Sequence, residues 1–101
     1  MRQDNGIISD DELKARIIKR MLKHSYFGGR HTDIKSLYHG FEAQHLGKHG
    51  YKRIEWAVND LVKEGIIVKK IAKYGSHGYH IRLNPHAKAN IEKYLEKYPN
   101  I

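Results

Sequence analysis

The side chains that could do chemistry in this chain are cations and imidazoles, and many of them crowd one stretch. Lys48, His49, Lys52 and Arg53 fall close together, and Trp56 and Asn59 follow them. Lysine and arginine bind phosphate oxygens, arginine also fits the guanine edge, and asparagine pairs with adenine. A second group, Lys73, Tyr74, Ser76 and His77, surrounds Gly75 ahead of Gly78. Between residues 48 and 82, eight bases against three acids leave +5 of the chain's +8. That charge, with a pI near 9.7, points to a polyanionic partner, nucleic acid first.

Bond-making chemistry is poorly supplied. There is no cysteine, so disulfides, thiolate nucleophiles and thiolate metal sites are excluded. Eight histidines invite a metal reading, with His45 and His49 spaced i to i+4 and His77 close to His80. No acid or cysteine completes either set, Gly47 interrupts the first pair, and strand alternation would send His77 and His80 to opposite faces. No metal or cofactor is therefore expected. Histidines near phosphate would gain protons, so nucleic-acid binding should tighten at mildly acid pH. No nucleophile motif, phosphate loop or paired-carboxylate site is present, and an enzyme is not expected.

The elements that must position these groups come from one small domain of 101 residues, whose every helix and strand has to share a single core. No run of ~18 apolar residues and no leader-like start occurs, so a cytoplasmic protein without a membrane partner is the expectation. Twelve isoleucines and thirteen lysines fit the usage of a thermophilic, archaeal source. Ser9-Asp10-Asp11-Glu12 reads as a capping box that opens a helix over 9–26. Its stripe is Leu13, Ile17, Ile18, Met21 and Leu22, with Lys14, Arg16, Lys19, Arg20 and Lys23 on the remaining surface. After an extended Arg30-His31-Thr32, a short helix is predicted over 33–39, capped by Thr32 or Asp33, then a turn to residue 50.

Tyr51, Ile54, Ala57, Val58, Leu61 and Val62 recur at helical spacing, which predicts a helix over about 50–64 ended by Gly65. Lys52, Glu55, Trp56, Asn59 and Lys63 then point outward. Glu55 either accepts from cytosine or pairs with Lys52, and Trp56 serves a nucleic-acid face, the core edge or a subunit surface. Residues 66–83 alternate as a hairpin around the glycine-rich turn. Asn84-Pro85 opens a last helix over 85–98, whose apolar Ile91, Tyr94, Leu95 and Tyr98, with Ile101 beyond, are read as a homodimer interface.

From Ile54 to Leu95 the segment IEWAVNDLVKEGIIVKKIAKYGSHGYHIRLNPHAKANIEKYL resembles the MarR-type and related winged helix-turn-helix regulators. Leu61 with Lys63-Glu64-Gly65-Ile66-Ile67 matches the family's entry into the wing, and Leu83-Asn84-Pro85 its exit; the likeness extends over residues 9 to 97. Two departures are a longer connection before the third helix and a wing tip whose usual arginine gives way to Lys73, Tyr74, Ser76 and His77. The resemblance implies an α+β winged-helix fold of three core helices, a β-hairpin wing and a C-terminal helix. It also implies a transcriptional regulator binding double-stranded DNA, with the third helix in the major groove and the wing on the backbone. Alternatives are a winged helix associated with RNA or ribonucleoprotein, or one that contacts protein within a larger assembly.

Overall fold

In the computed structural model residues 8–24, 32–33, 50–71 and 79–101 are described. Helix α1 is Asp10–Lys23. The Ser9 hydroxyl accepts from the Glu12 amide at 3.1 Å, while the Glu12 carboxylate turns forward to the Arg16 guanidinium instead of back to Ser9. Half of the expected capping box is therefore made, and an i,i+4 ion pair replaces the other half. The acids of the first turn and the bases of the last complement the helix dipole.

Strand β1 is Thr32–Asp33. Thr32 is extended as expected and pairs with Ile81, and Asp33 pairs with His80; the helix predicted to follow falls on residues 34–39, which lie outside the described set. Helix α2 runs Gly50–Lys63 and ends in a paired C-cap. The Gly65 amide donates to the Val62 carbonyl and the Ile66 amide to the Leu61 carbonyl, both at 3.0 Å. This arrangement needs a left-handed residue between them, and Gly65 supplies it at φ +79°. Leu61 and Ile66, the two residues that bracket the turn, are both fully buried, so the cap also fixes how the chain enters the sheet.

Strands β2 (Ile67–Ile71) and β3 (Tyr79–Leu83) form an antiparallel hairpin in which Ile67 faces Leu83 and Lys69 faces Ile81. The sheet order is β1-β3-β2. Asn84 closes it: its amide donates to the Ile66 carbonyl, its side-chain amide to the Gly65 carbonyl, and its side-chain oxygen accepts from His86. One asparagine thus ties the end of α2, the start of β2 and the next helix. A 3-10 turn, Pro85–Ala87, leads into helix α3, Lys88–Lys97.

The core draws Leu13, Ile17, Ile18 and Met21 from α1, Ile54, Ala57, Val58 and Leu61 from α2, Ile67, Ile81 and Leu83 from the sheet, and Ile91 from α3. Each buried aliphatic contributes about 1.5–3 kcal/mol over an exposed one. This is a small α+β fold in which, among the described residues, three α-helices and a sheet share one apolar centre. Among the described residues no helix is long and apolar enough to cross a membrane.

Candidate nucleic-acid interface

Helix α2 buries one side and leaves the other to solvent. Ile54, Ala57, Val58 and Leu61 face the core, so the 3.6-residue period sends Lys52, Glu55, Trp56 and Lys63 outward, and all four are exposed. Asn59, on the same side, is half-buried because the hairpin reaches it: the Lys69 ammonium donates to Asn59 Oδ1 at 3.4 Å. Lys69 shares a sheet face with Ile67 and Ile81 but lies beyond the core, which brings it to the helix. Lys52, Lys63 and Lys69 therefore give this face three cations against the single carboxylate of Glu55.

Arg53 has another task. Its guanidinium donates to the Ile8 carbonyl at 2.7 Å and to Asp10 Oδ1 at 2.8 Å, clipping the start of α1 onto α2. The side chain expected to meet guanine or phosphate is held by its own chain. Trp56 is 50% exposed and leans toward α1, where the Lys14 ammonium lies 5.2 Å from its ring centroid.

Lys14 is the residue that sequence reasoning misplaced. Expected on the outer surface of α1, it is 6% exposed, with its ammonium on Asp60 and, at 3.2 Å, on Glu64. The signal was present: Ile17, Ile18 and Met21 follow it at i+3, i+4 and i+7, which puts it on the apolar stripe. Asp60 and Glu64, four apart on the neighbouring helix, are the matching pair of acceptors. Burial pulls the Lys14 pKa down, but the hydrogen bonds to Asp60 and Glu64 outweigh it and leave the group above the ordinary lysine value. Asp60 is held below its ordinary value, chiefly by that bond from Lys14. Tyr94 of α3 joins the cluster by donating to Glu64 Oε1 at 2.7 Å; burial first, then that bond, raise its phenol.

The residues assigned to a dimer surface are partly used by the chain itself. Ile91 is 3% exposed and belongs to the core, a correction to the reading that left it free for a partner. Tyr94 and Leu95 pack against that core, and Tyr98 is half-buried with Lys97 stacked 5.7 Å from its ring centroid. A single helix of ten residues cannot present one stripe to two places, and the core takes the larger share. Among the described residues, Leu22, Pro85, Lys88, Ile91, Glu92 and Leu95 line a groove of about 460 Å³ on α3.

Lys48, His49, Lys73, Tyr74, Ser76 and His77 lie outside the described residues, as do His45 and the turn that joins the hairpin strands. Among the described residues no cluster of three or more histidines and carboxylates gathers as metal ligands. Compared with protein families, with curated proteins and with solved structures, the chain has no match.

Proposed function

We propose that the chain is a winged-helix protein that binds double-stranded DNA as a transcriptional regulator, with α2 in the major groove and the hairpin against the adjacent backbone. The carrying observation is the outer face of α2, where Lys52, Asn59 and Lys63 stand clear of the core with Lys69 of the hairpin beside them. An α-helix with one free polar side fits the major groove, and a flanking ribbon lysine reaches phosphate. The packing of β2 against α2 supports this reading, since it holds the ribbon beside the helix. The excess of bases over acids in the whole chain supplies the long-range attraction.

Phosphate contacts release counterions, so affinity measured against salt tests the reading directly. Wild-type binding to a duplex falls steeply with ionic strength, and the triple variant Lys52→Ala, Lys63→Ala, Lys69→Ala flattens the log–log slope by about 2–3, one unit for each lost contact. An unchanged slope removes this face from the interface. A homodimer through α3 completes the reading, because two copies would read half-sites about one helical turn apart.

A further inference from the structure

Beside the duplex-facing side of α2, and sharing Lys52 with it, is a recess whose other side chains the reading above gives no role. Among the described residues Asp10, Lys52, Arg53 and Trp56 line a shallow hollow of about 340 Å³ where the start of α1 meets the first turns of α2. The four side chains are not equivalent. Arg53 is spent on Ile8 and Asp10, and so sets the position of the Asp10 carboxylate. Asp10 gives only Oδ1 to that pair; its Oδ2 accepts no hydrogen bond from the described residues, and its side chain is 57% exposed. Lys52 is exposed with no ion-pair partner among the described residues, and Trp56 offers half of its indole.

The set selects its ligand by exclusion. A cation would meet Lys52, Arg53 and, behind the indole, Lys14. A simple inorganic anion has no use for an aromatic ring and would face Asp10. An aliphatic molecule would leave the charges without partners. A nucleotide uses each group: its base plane stacks on Trp56, an exocyclic amino group donates to Asp10 Oδ2, and its phosphate meets Lys52. Inside a duplex both base faces are already covered by neighbours, so the base has to be unpaired.

We propose that Asp10, Lys52 and Trp56, with Arg53 as the positioning residue, form a site for one unpaired nucleotide bearing an exocyclic amino group. Its source is a single-stranded extension at the end of the bound duplex or the free nucleotide. Only the first source rests on the DNA-binding reading. Cytosine and thymine separate the chemistry cleanly, because they are similar in size but cytosine presents an amino donor where thymine presents a carbonyl oxygen. The latter would oppose the Asp10 carboxylate.

The test titrates the full chain with a short blunt duplex and with the same duplex carrying a few unpaired dC or dT nucleotides, following emission from Trp56, the sole tryptophan. The dC extension is expected to bind at least about fivefold tighter than the blunt duplex, the stacking gain of one base, and tighter than the dT extension. Asp10→Asn abolishes the dC-over-dT ratio, in which the charge change common to both probes cancels, and Lys52→Gln lowers the gain from either extension. Equal affinity for blunt and dC-extended duplex overturns the proposal, as does an Asp10→Asn protein that keeps the ratio. If the blunt duplex does not bind at all, the DNA-binding reading fails by itself, and cytidine against thymidine monophosphate decides the site. Saturable quenching that favours cytidine upholds it, and no saturable quenching overturns it.

Discussion

The ammonium of Lys14 lies 5.2 Å from the ring centroid of Trp56, so a buried cation on one helix stands behind a half-exposed indole on another. The same ammonium is bonded to Asp60 and Glu64, and Glu64 accepts from Tyr94. A line of polar contacts therefore connects the C-terminal helix, through the end of α2 and the middle of α1, to the ring on the proposed binding face. Attraction between a cation and a ring adds to about 2 kcal/mol where both are shielded from water.

Breaking this cluster from its two sides has unequal cost. Lys14→Met removes the cation but keeps most of the packing, and it leaves Asp60 and Glu64 with side chains 32% and 36% exposed, able to hydrate. The expected loss is under about 1 kcal/mol. Asp60→Asn with Glu64→Gln leaves Lys14 charged, buried and without these two counter-charges, and is expected to cost more than Lys14→Met. Urea midpoints of the two variants measure the difference; a Lys14→Met protein less stable than the double variant contradicts the assignment.

The dependence of stability on pH follows from the Lys14–Asp60 pair and from a second one, in which the Lys97 ammonium donates to Asp11 Oδ2 at 2.9 Å. Asp60 is depressed below its ordinary 3.8 by the bond from Lys14, and Asp11 below 3.8 by the bond from Lys97. A depressed carboxyl stabilises the fold above its unfolded pKa, and that contribution disappears as pH falls through the lower folded value. Lys14 is shifted the other way, so its contribution is complete below 10.5 and is lost only as pH rises through a still higher folded value. Between these limits neither Asp60 nor Lys14 changes charge. Wild-type stability is therefore expected to drop more steeply below about pH 4 than that of Lys14→Met, with a constant difference between about pH 5 and 9. Denaturant midpoints across that range check it, and a step near neutrality would show that other groups control the cluster.

Much of this architecture was legible because single residues carried it. The alternation from Ile54 to Leu61, Gly65 as terminator and Asn84-Pro85 as restart all lie where the periodicity and turn chemistry put them. The failures share a cause. Lys14 was placed by its residue type and not by its position on the stripe, so a charged side chain inside the helix interface went unseen. Arg53 was read as a ligand for nucleic acid because its partner, Asp10, is remote in sequence and looked fully engaged as a first-turn acid. Thr32 of strand β1 is extended as its segment was expected to be, but its pairing with β3 is a long-range contact that local spacing does not show.

Asn59 and Lys69 divide the labour of the proposed interface. The bond from Lys69 to Asn59 Oδ1 orients the amide so that Nδ2 is the group left for a base or a water. Asn59→Ala removes one base-edge donor and leaves phosphate contact intact, so the ratio of specific to non-specific affinity should fall, by less than the about 1–3 kcal/mol of a two-bond pair, with little change in the salt slope. Lys69→Ala does both: the slope falls by about one unit and discrimination weakens because Asn59 loses its orienting partner. Competition binding with a selected and a scrambled duplex distinguishes the two, and identical behaviour of the variants would refute this division.

The C-terminal helix carries two separable burdens, and two substitutions one residue apart tell them apart. Ile91 is in the core, so Ile91→Ala is expected to cost about 2–4 kcal/mol whatever the oligomeric state. Lys88 and Glu92 are exposed at the rim of the groove that Leu22, Ile91 and Leu95 line. In a two-fold contact a patch meets its own copy, so an antiparallel pairing of two α3 helices sets Lys88 of one chain against Glu92 of the other. Glu92→Lys turns both attractions into repulsions without touching the core. Sedimentation at micromolar concentration should then show a wild-type dimer and a Glu92→Lys monomer of unchanged thermal stability. A wild-type chain that sediments as a monomer refutes the dimer and leaves the groove as a feature of one chain.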